Sequence, residues 1–399
     1  MSARVLVRRS LVAAALLAPA VFALPARAHD DPISLPKPPP TRPQEGKPVD
    51  LALCLDTSGS MEGLIHSARL KMWQVVNELS RAKPAPRLRV ALLTYGSPGD
   101  AATGFVVMQT PFTSDLDLVS EKLFALGTNG GEEYVGRVVK TAIDRLEWGG
   151  PDAVKILFVA GNESADQDPV AKFRDVVKHA SGLGVRVNAI YCGNPDDGDA
   201  PGWREVASLG LGRFASIDMN RGTVAIATPY DKELGDLSTL INTTSVAWGR
   251  HGAEGLARQK AQDANAAGAA PAAAAERAES KAGKLYANSW DLVDESAKKD
   301  FDLAKVAKEE LPEEMRAMTL EQQKAHLDAK RAERAKIQAR IQELSTARAA
   351  FVKTEMGKQG LDDGKSLDRA IRDAVREQGE AKGLRFEDEA PASGPLPSK

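Results

Sequence analysis

At 399 residues the chain is long enough for one substantial domain plus a second region. Acidic and basic side chains nearly cancel, leaving a formal net charge of -2, so no overall basic field points to nucleic acid or an anionic membrane surface. A hydrophobic fraction of 43% excludes disorder throughout, while aromatics at only 5% imply that part of the length lacks a conventional core.

Arg4, Arg8 and Arg9 precede a short apolar run, Leu11 to Leu24, which ends in the small-x-small pattern Ala26-Arg27-Ala28. Residues 1–28 therefore read as a signal peptide cleaved after Ala28, giving a periplasmic or secreted protein. The apolar run is shorter than the roughly 20 residues that span a bilayer. Residues 29–48 are Pro-rich and polar, the composition of an extended linker.

Strands and helices then alternate. Asp50–Leu55 is a short apolar strand, and Met61–Ala82 has helical periodicity. Leu88–Tyr95 and Gly104–Gln109 read as strands two and three. Ser114 is the expected N-cap of a helix reaching Leu126. Tyr134–Leu146 is an amphipathic helix, Val154–Ala160 a strongly apolar strand, and Asp168-Pro169 the expected start of a helix that Gly182 and Gly184 end. Val185–Cys192 and Arg213–Ile217 complete six strands, and Leu234–Trp248 reads as a closing helix. Apolar strands spaced by helices predict a doubly wound, mostly parallel α/β sheet over residues 49–252, a domain expected to fold and bind on its own.

Beyond residue 250 the composition changes, with 27 acidic and 26 basic side chains in the remainder. Residues 253–275 contain an alanine tract that reads as a linker, and residues 276–382 form a charged helical region. Within it, Thr319–Met356 carries Leu320, Leu327, Ile337, Ile341, Leu344 and Phe351 near heptad positions. Arg334 and Arg348 interrupt that seam, so either a self-pairing coiled coil or a long helix folded back on its own neighbours fits. Residues 383–399 read as a disordered tail.

The densest chemistry lies where the first strand ends. Asp56, Ser58 and Ser60 place a carboxylate and two hydroxyls in a strand-to-helix turn, and ligands bind to this fold class at the carboxyl ends of strands. Hard oxygen donors of this kind suit Mg²⁺ or a similar divalent cation. Asp56 alone neutralises only part of such an ion's charge, so a carboxylate on a partner protein is the expected occupant of the open position. Asp56-Thr57-Ser58-Gly59-Ser60 resembles the D-x-S-x-S signature of von Willebrand factor A (vWA) domains, the integrin I domains among them, whose metal-ion-dependent adhesion site (MIDAS) it forms. The resemblance implies a sheet order 3-2-1-4-5-6, a further Thr from a second loop and an Asp after the fourth strand. In the second loop, Thr128 offers the hydroxyl, whereas counting back from the next helix selects Glu133. After the fourth strand Gly161 replaces the usual Asp, leaving Asn162, Glu163 or Asp166 as substitutes. The stretches Gly130–Tyr134, Ala160–Glu163 and Thr228–Asp231 resemble segments of other bacterial vWA-like proteins. With the implied strand order, Cys54 and Cys192 are separated by a strand, about 10 Å apart, too far for a disulfide. Two free, buried thiols are therefore expected.

Other signals are poorer. Gly360, Gly364, Lys365 and Ser366 imitate a phosphate-binding loop but are one residue short of its spacing. No nucleophile elbow accompanies Ser58 or Ser60, and the five His show no zinc-site spacing. The sequence thus predicts a non-enzymatic protein-binding module working through a divalent cation. The alternative is a metal-free envelope scaffold whose helical region makes the contacts.

Overall fold

The first strand, β1 (Pro48–Asp56), is buried along nearly its whole length, as expected of a central parallel strand covered on both faces. The computed structural model describes residues 46–217, 226–359 and 367–386. The expected signal peptide, most of the Pro-rich stretch and the Gly360–Ser366 stretch lie outside the described residues.

After β1 come α1 (Glu62–Ser80), the two-residue β2 (Ala82–Lys83), β3 (Arg87–Tyr95), β4 (Val106–Thr113), α2 (Leu116–Ala125) and α3 (Val135–Arg145). Then follow β5 (Val154–Gly161), α4 (Phe173–Gly182), β6 (Arg186–Tyr191), α5 (Ala200–Leu209), β7 (Leu211–Ser216) and α6 (Asp231–Ile241). The six-stranded sheet has the order β4-β3-β1-β5-β6-β7, which is the order the sequence resemblance implies. All its pairs are parallel except β3 with β4. Helices α1 and α2 cover one face, and α3, α4 and α5 the other. Among the described residues, no helix is long and apolar enough to cross a membrane. Cys54 on β1 and Cys192 just after β6 are both free and buried, with β5 between them, and burial raises both thiols.

Local corrections have identifiable causes. Asp115, rather than Ser114, caps α2, its carboxylate accepting the Leu118 N–H at 2.9 Å. Asp168 does not open a helix. It accepts the N–H groups of Val170 and Ala171 and pairs with Arg137, so α4 starts only at Phe173. Helix α5 was not expected at all. Asp231 begins α6, where it binds the Thr228 N–H and hydroxyl as well as Arg348.

The region after residue 250 departs further from expectation. The alanine tract is not a linker: α7 (Gly252–Ala269) and α8 (Pro271–Ala282) pack against α2 and α1, with Ala273, Ala275 and Ala278 buried. Small alanine side chains let α8 approach α1 closely enough for Asn77 to donate to the Glu276 carbonyl at 2.9 Å. The charged segment comprises a short α9 (Leu292–Glu295), the long α10 (Leu320–Gln359) and α11 (Leu367–Glu380). Helix α10 folds back on α6, α8 and α9. The two arginines that interrupt its apolar seam are buried in ion pairs: Arg334 with Asp291 and Asp294, Arg348 with Asp231 and Glu276. Helix α11 lies on the α1 face of the sheet, burying Leu367, Ile371, Ala374 and Val375 in the same core. The tail begins in order, since β8 (Arg385–Phe386) pairs antiparallel with β2 while Leu384 is buried beside it. The α11 segment thus supplies core to the sheet, while α8 and α10 share a separate apolar cluster with α6.

Candidate metal centre

Strand β1 delivers Asp56 to its carboxyl end, where the side chain is fully buried. One carboxylate oxygen, Oδ1, accepts the Ser58 N–H at 2.7 Å, and the other, Oδ2, has no hydrogen-bond partner. The turn that follows is stitched to β3: the Thr57 N–H and hydroxyl both donate to the Tyr95 carbonyl, at 2.8 and 2.9 Å. That leaves Ser58 buried and Ser60 exposed at the rim, their hydroxyls 3.3 Å apart.

The loop before α3 is brought over this turn. The Asn129 N–H donates to the Thr57 carbonyl at 2.9 Å. Gly131 lies so close to β3 that a Cβ there would come 2.3 Å from the Gly96 carbonyl oxygen. This path carries Glu133 into the site. Glu133 is buried, its Oε2 has no partner, and it flanks the same space as Asp56, a Cβ built on Gly96 standing 3.4 Å from its Cγ and 2.6 Å from Asp56 Oδ1. Gly96 keeps the space open, because a Cβ at that position would meet Asp56 Oδ1 at 2.6 Å.

Burial raises both carboxyls above their ordinary range, and the negative charge of Asp56 raises Glu133 further. Burial, with Asp56 adding to it, likewise raises the Tyr95 phenol, which donates to the Ala160 carbonyl at 3.0 Å. Two carboxyls so placed either share a proton or hold a cation.

The remaining sequence candidates divide clearly. Of the second-loop pair, Glu133 reaches Asp56, whereas the Thr128 hydroxyl donates to Glu62 at 3.1 Å. Asn162 hydrogen-bonds Ser60 across the rim at 3.1 Å. Glu163 is exposed, and its negative charge acts on both Asp56 and Glu133. Asp166 is turned away into an ion pair with Arg174. Among the described residues, no three His, Cys, Asp or Glu side chains are grouped to hold a metal, so the hydroxyls would have to complete the set. Sequence reasoning passed over Tyr95, Gly96 and Trp203. The Trp203 indole donates to the Glu163 carbonyl at 2.8 Å and so fixes the loop after β5. A glycine directly after an apolar strand end is the signal that marks Gly96.

Tyr95 also explains why the usual Asp is missing. A Cβ on Gly161 would lie 2.4 Å from the Tyr95 hydroxyl and 3.1 Å from Asp56 Oδ2. Gly161→Ala is expected to cost about 1–3 kcal/mol of stability through this overlap. Combining it with Tyr95→Phe should recover part of that loss in a double-mutant cycle of urea unfolding. Strictly additive losses would mean that the hydroxyl does not set the limit.

No family model and no curated protein matches the chain. Among solved structures, it is similar to the pilus adhesin SpaC from Lactobacillus rhamnosus GG in its open conformation (16% identity, TM-score 0.35), over 44% of this chain and 28% of the adhesin. It is also similar to proximal thread matrix protein 1 of the mussel byssus with a zinc-occupied MIDAS motif (14% identity, TM-score 0.36), over 44% of this chain and 43% of that one. A third similarity is to the SpRpn10 VWA domain (12% identity, TM-score 0.33), over 45% of this chain and 98% of the domain. The chain thus spans less than half the length of the first two. At such TM-scores the assignment of the fold rests on the strand order and registers given above.

Proposed function

We propose that this chain is an exported, non-enzymatic protein-binding module that engages its partner through a hard divalent cation such as Mg²⁺. The observation that carries this reading is the pair of buried carboxylate oxygens without a partner, Asp56 Oδ2 and Glu133 Oε2, beside the buried Ser58 hydroxyl and the exposed Ser60 hydroxyl. Leaving a buried acceptor unsatisfied costs about 1–3 kcal/mol, and more where it is charged. A cation would offset that cost. Asp56, Glu133, Ser58 and Ser60 would hold it, with Asn162 orienting Ser60. The ion would supply an electrophilic contact for a partner oxygen. The serine hydroxyls bond to each other and toward Asn162, an arrangement that orients ligands.

The expected outcome is that Mg²⁺ raises the thermal midpoint of the wild-type chain and leaves Asp56→Ala unaffected. In chelator the variant should match or exceed the wild type, because it lacks a desolvated carboxylate. Asp56 belongs to the buried end of β1 rather than to an exposed loop, so the fold is checked by the same melt. Equal Mg²⁺ shifts in both proteins would remove the site. Partner capture from an envelope extract should likewise be lost in chelator.

A metal-free scaffold is the second reading, favoured by the reach of Asp56 and Glu133 to one another, which lets a shared proton satisfy both. A partner complex that persists in chelator and in Asp56→Ala would select it.

A further inference from the structure

The expectation of an acidic partner group arises from counting Asp56 as the ion's sole carboxylate. The structure changes the count. Glu133 is an internal residue of the loop before α3, buried, with Oε2 unpartnered, and a Cβ built on Gly96 would stand 3.4 Å from its Cγ, 3.3 Å from the Ser58 nitrogen and 2.6 Å from Asp56 Oδ1, so the three residues surround one space. Resting on the reading that the site holds a divalent cation, we propose that Glu133 is its second anionic ligand. The ion's charge is then neutralised within the chain, and the open position takes an uncharged oxygen of the partner protein, a carbonyl or hydroxyl, rather than a carboxylate.

Three observations support this. First, Glu133 is held at the site by backbone. Gly131 is wedged against the Gly96 carbonyl, and at the second residue of α3 a Cβ on Gly136 would come 1.8 Å from the Ala171 carbonyl oxygen, so neither flank of Glu133 can retreat without moving a neighbouring strand or loop. Second, Glu133 and Asp56 flank the same space, because a Cβ on Gly96 would stand 3.4 Å from Glu133 Cγ and 2.6 Å from Asp56 Oδ1. Third, the surrounding charge is already negative. Two carboxylates balance a divalent ion, the serine hydroxyls and Asn162 add none, and exposed Glu163 adds a third negative charge whose field reaches both buried carboxyls. The nearby cation on α3, Arg137, is committed to a bidentate pair with Asp168. A partner carboxylate would therefore meet net negative charge, whereas a carbonyl or hydroxyl dipole meets no such repulsion.

The test uses Mn²⁺ as probe on the full chain, with free ion measured by electron paramagnetic resonance and bound water by proton relaxation. In the wild type, acetate should leave Mn²⁺ affinity and bound-water relaxation unchanged relative to chloride at equal ionic strength. Glu133→Gln keeps the shape and removes the charge. It should weaken Mn²⁺ about tenfold or more, and acetate should now tighten the ion and displace its water. Glu133→Thr serves as a second variant, with the same acetate response expected. Acetate tightening the wild type as strongly as Glu133→Gln, or unaltered Mn²⁺ affinity in both variants, would overturn the proposal. Failure of the cation reading itself looks different: the wild type would not bind Mn²⁺, or Asp56→Ala would bind it equally.

Discussion

Arg277→Ala is expected to destabilise the protein by about 3–5 kcal/mol, the usual cost of removing one partner from a buried ion pair. Arg277 on α8 is fully buried between the sheet layer and the helical region. Its guanidinium donates to Asp117 of α2 at 2.7 Å, to Asp263 of α7 at 2.5 Å and to the Gln259 carbonyl at 3.0 Å. It also sits over the Trp73 ring of α1, 4.6 Å from its centroid. Asp117 and Asp263 would be left with less than their charge requires, although the Tyr286 hydroxyl still reaches Asp117 and Lys281 still reaches Asp263. Denaturant unfolding gives the measurement. Replacing Arg277 by Met together with Asp117 by Leu should recover much of the loss, since apolar groups of similar volume often substitute for a buried pair at little cost. A midpoint for Arg277→Ala within experimental error of the wild type would show that this network contributes nothing to stability.

The second large effect concerns the division of the chain. A fragment of residues 49–252 is expected to lose cooperative unfolding, contrary to the independence that the sequence suggests for it. Removing α7 and α8 strips Trp73 and Asn77 on α1 of their cover, and leaves Ser120 without Gln262. Removing α11 uncovers the sheet face around Phe158 and Ile190, and separates Asn188 from Gln378, which donates to it at 2.6 Å. Each exposed aliphatic side chain forfeits about 1.5–3 kcal/mol of burial, so the total exceeds the 5–15 kcal/mol by which domains are stable. Circular dichroism melts and dye binding to exposed apolar surface would report the result. A sharp two-state transition in the fragment would restore the autonomous domain.

How much of this was legible in the sequence depended on whether one segment or two decided the outcome. The strands were legible because each is an apolar run bounded by polar turns, and the Asp56 motif because its five residues act within a single loop. Helix α5 was hidden by Pro201 and Gly202 in its first turn, which read as loop residues. Asp168-Pro169 matches a helix start, but its carboxylate bonds N–H groups ahead of the helix and a guanidinium 31 positions back. The alanine tract has no periodic apolar face, so only its neighbour α1 reveals whether it packs. Arg334 and Arg348 read as breaks in a seam, whereas the acids that receive them come from segments far away in sequence. At the candidate site the choice between Thr128 and Glu133 turned on the approach of Gly131 to Gly96, a contact between two loops that no spacing rule contains.

The pairing of β2 with β8 also sets a timetable for folding. Residue 82 meets residue 386, and the sheet face that α11 covers belongs to strands made long before that helix. At roughly 5–20 residues per second, about 15–60 s of synthesis separate the two partners. For the later part of that interval, about 9–35 s while the chain from Ile190 to Leu367 is made, the strands around Phe158 and Ile190 lack their cover, and contacts so distant along the chain close slowly even once available. A chain in which the sheet is complete therefore still carries an uncovered apolar surface, and arrival of the segment after Leu367, rather than completion of the sheet, is the event that lets it finish folding.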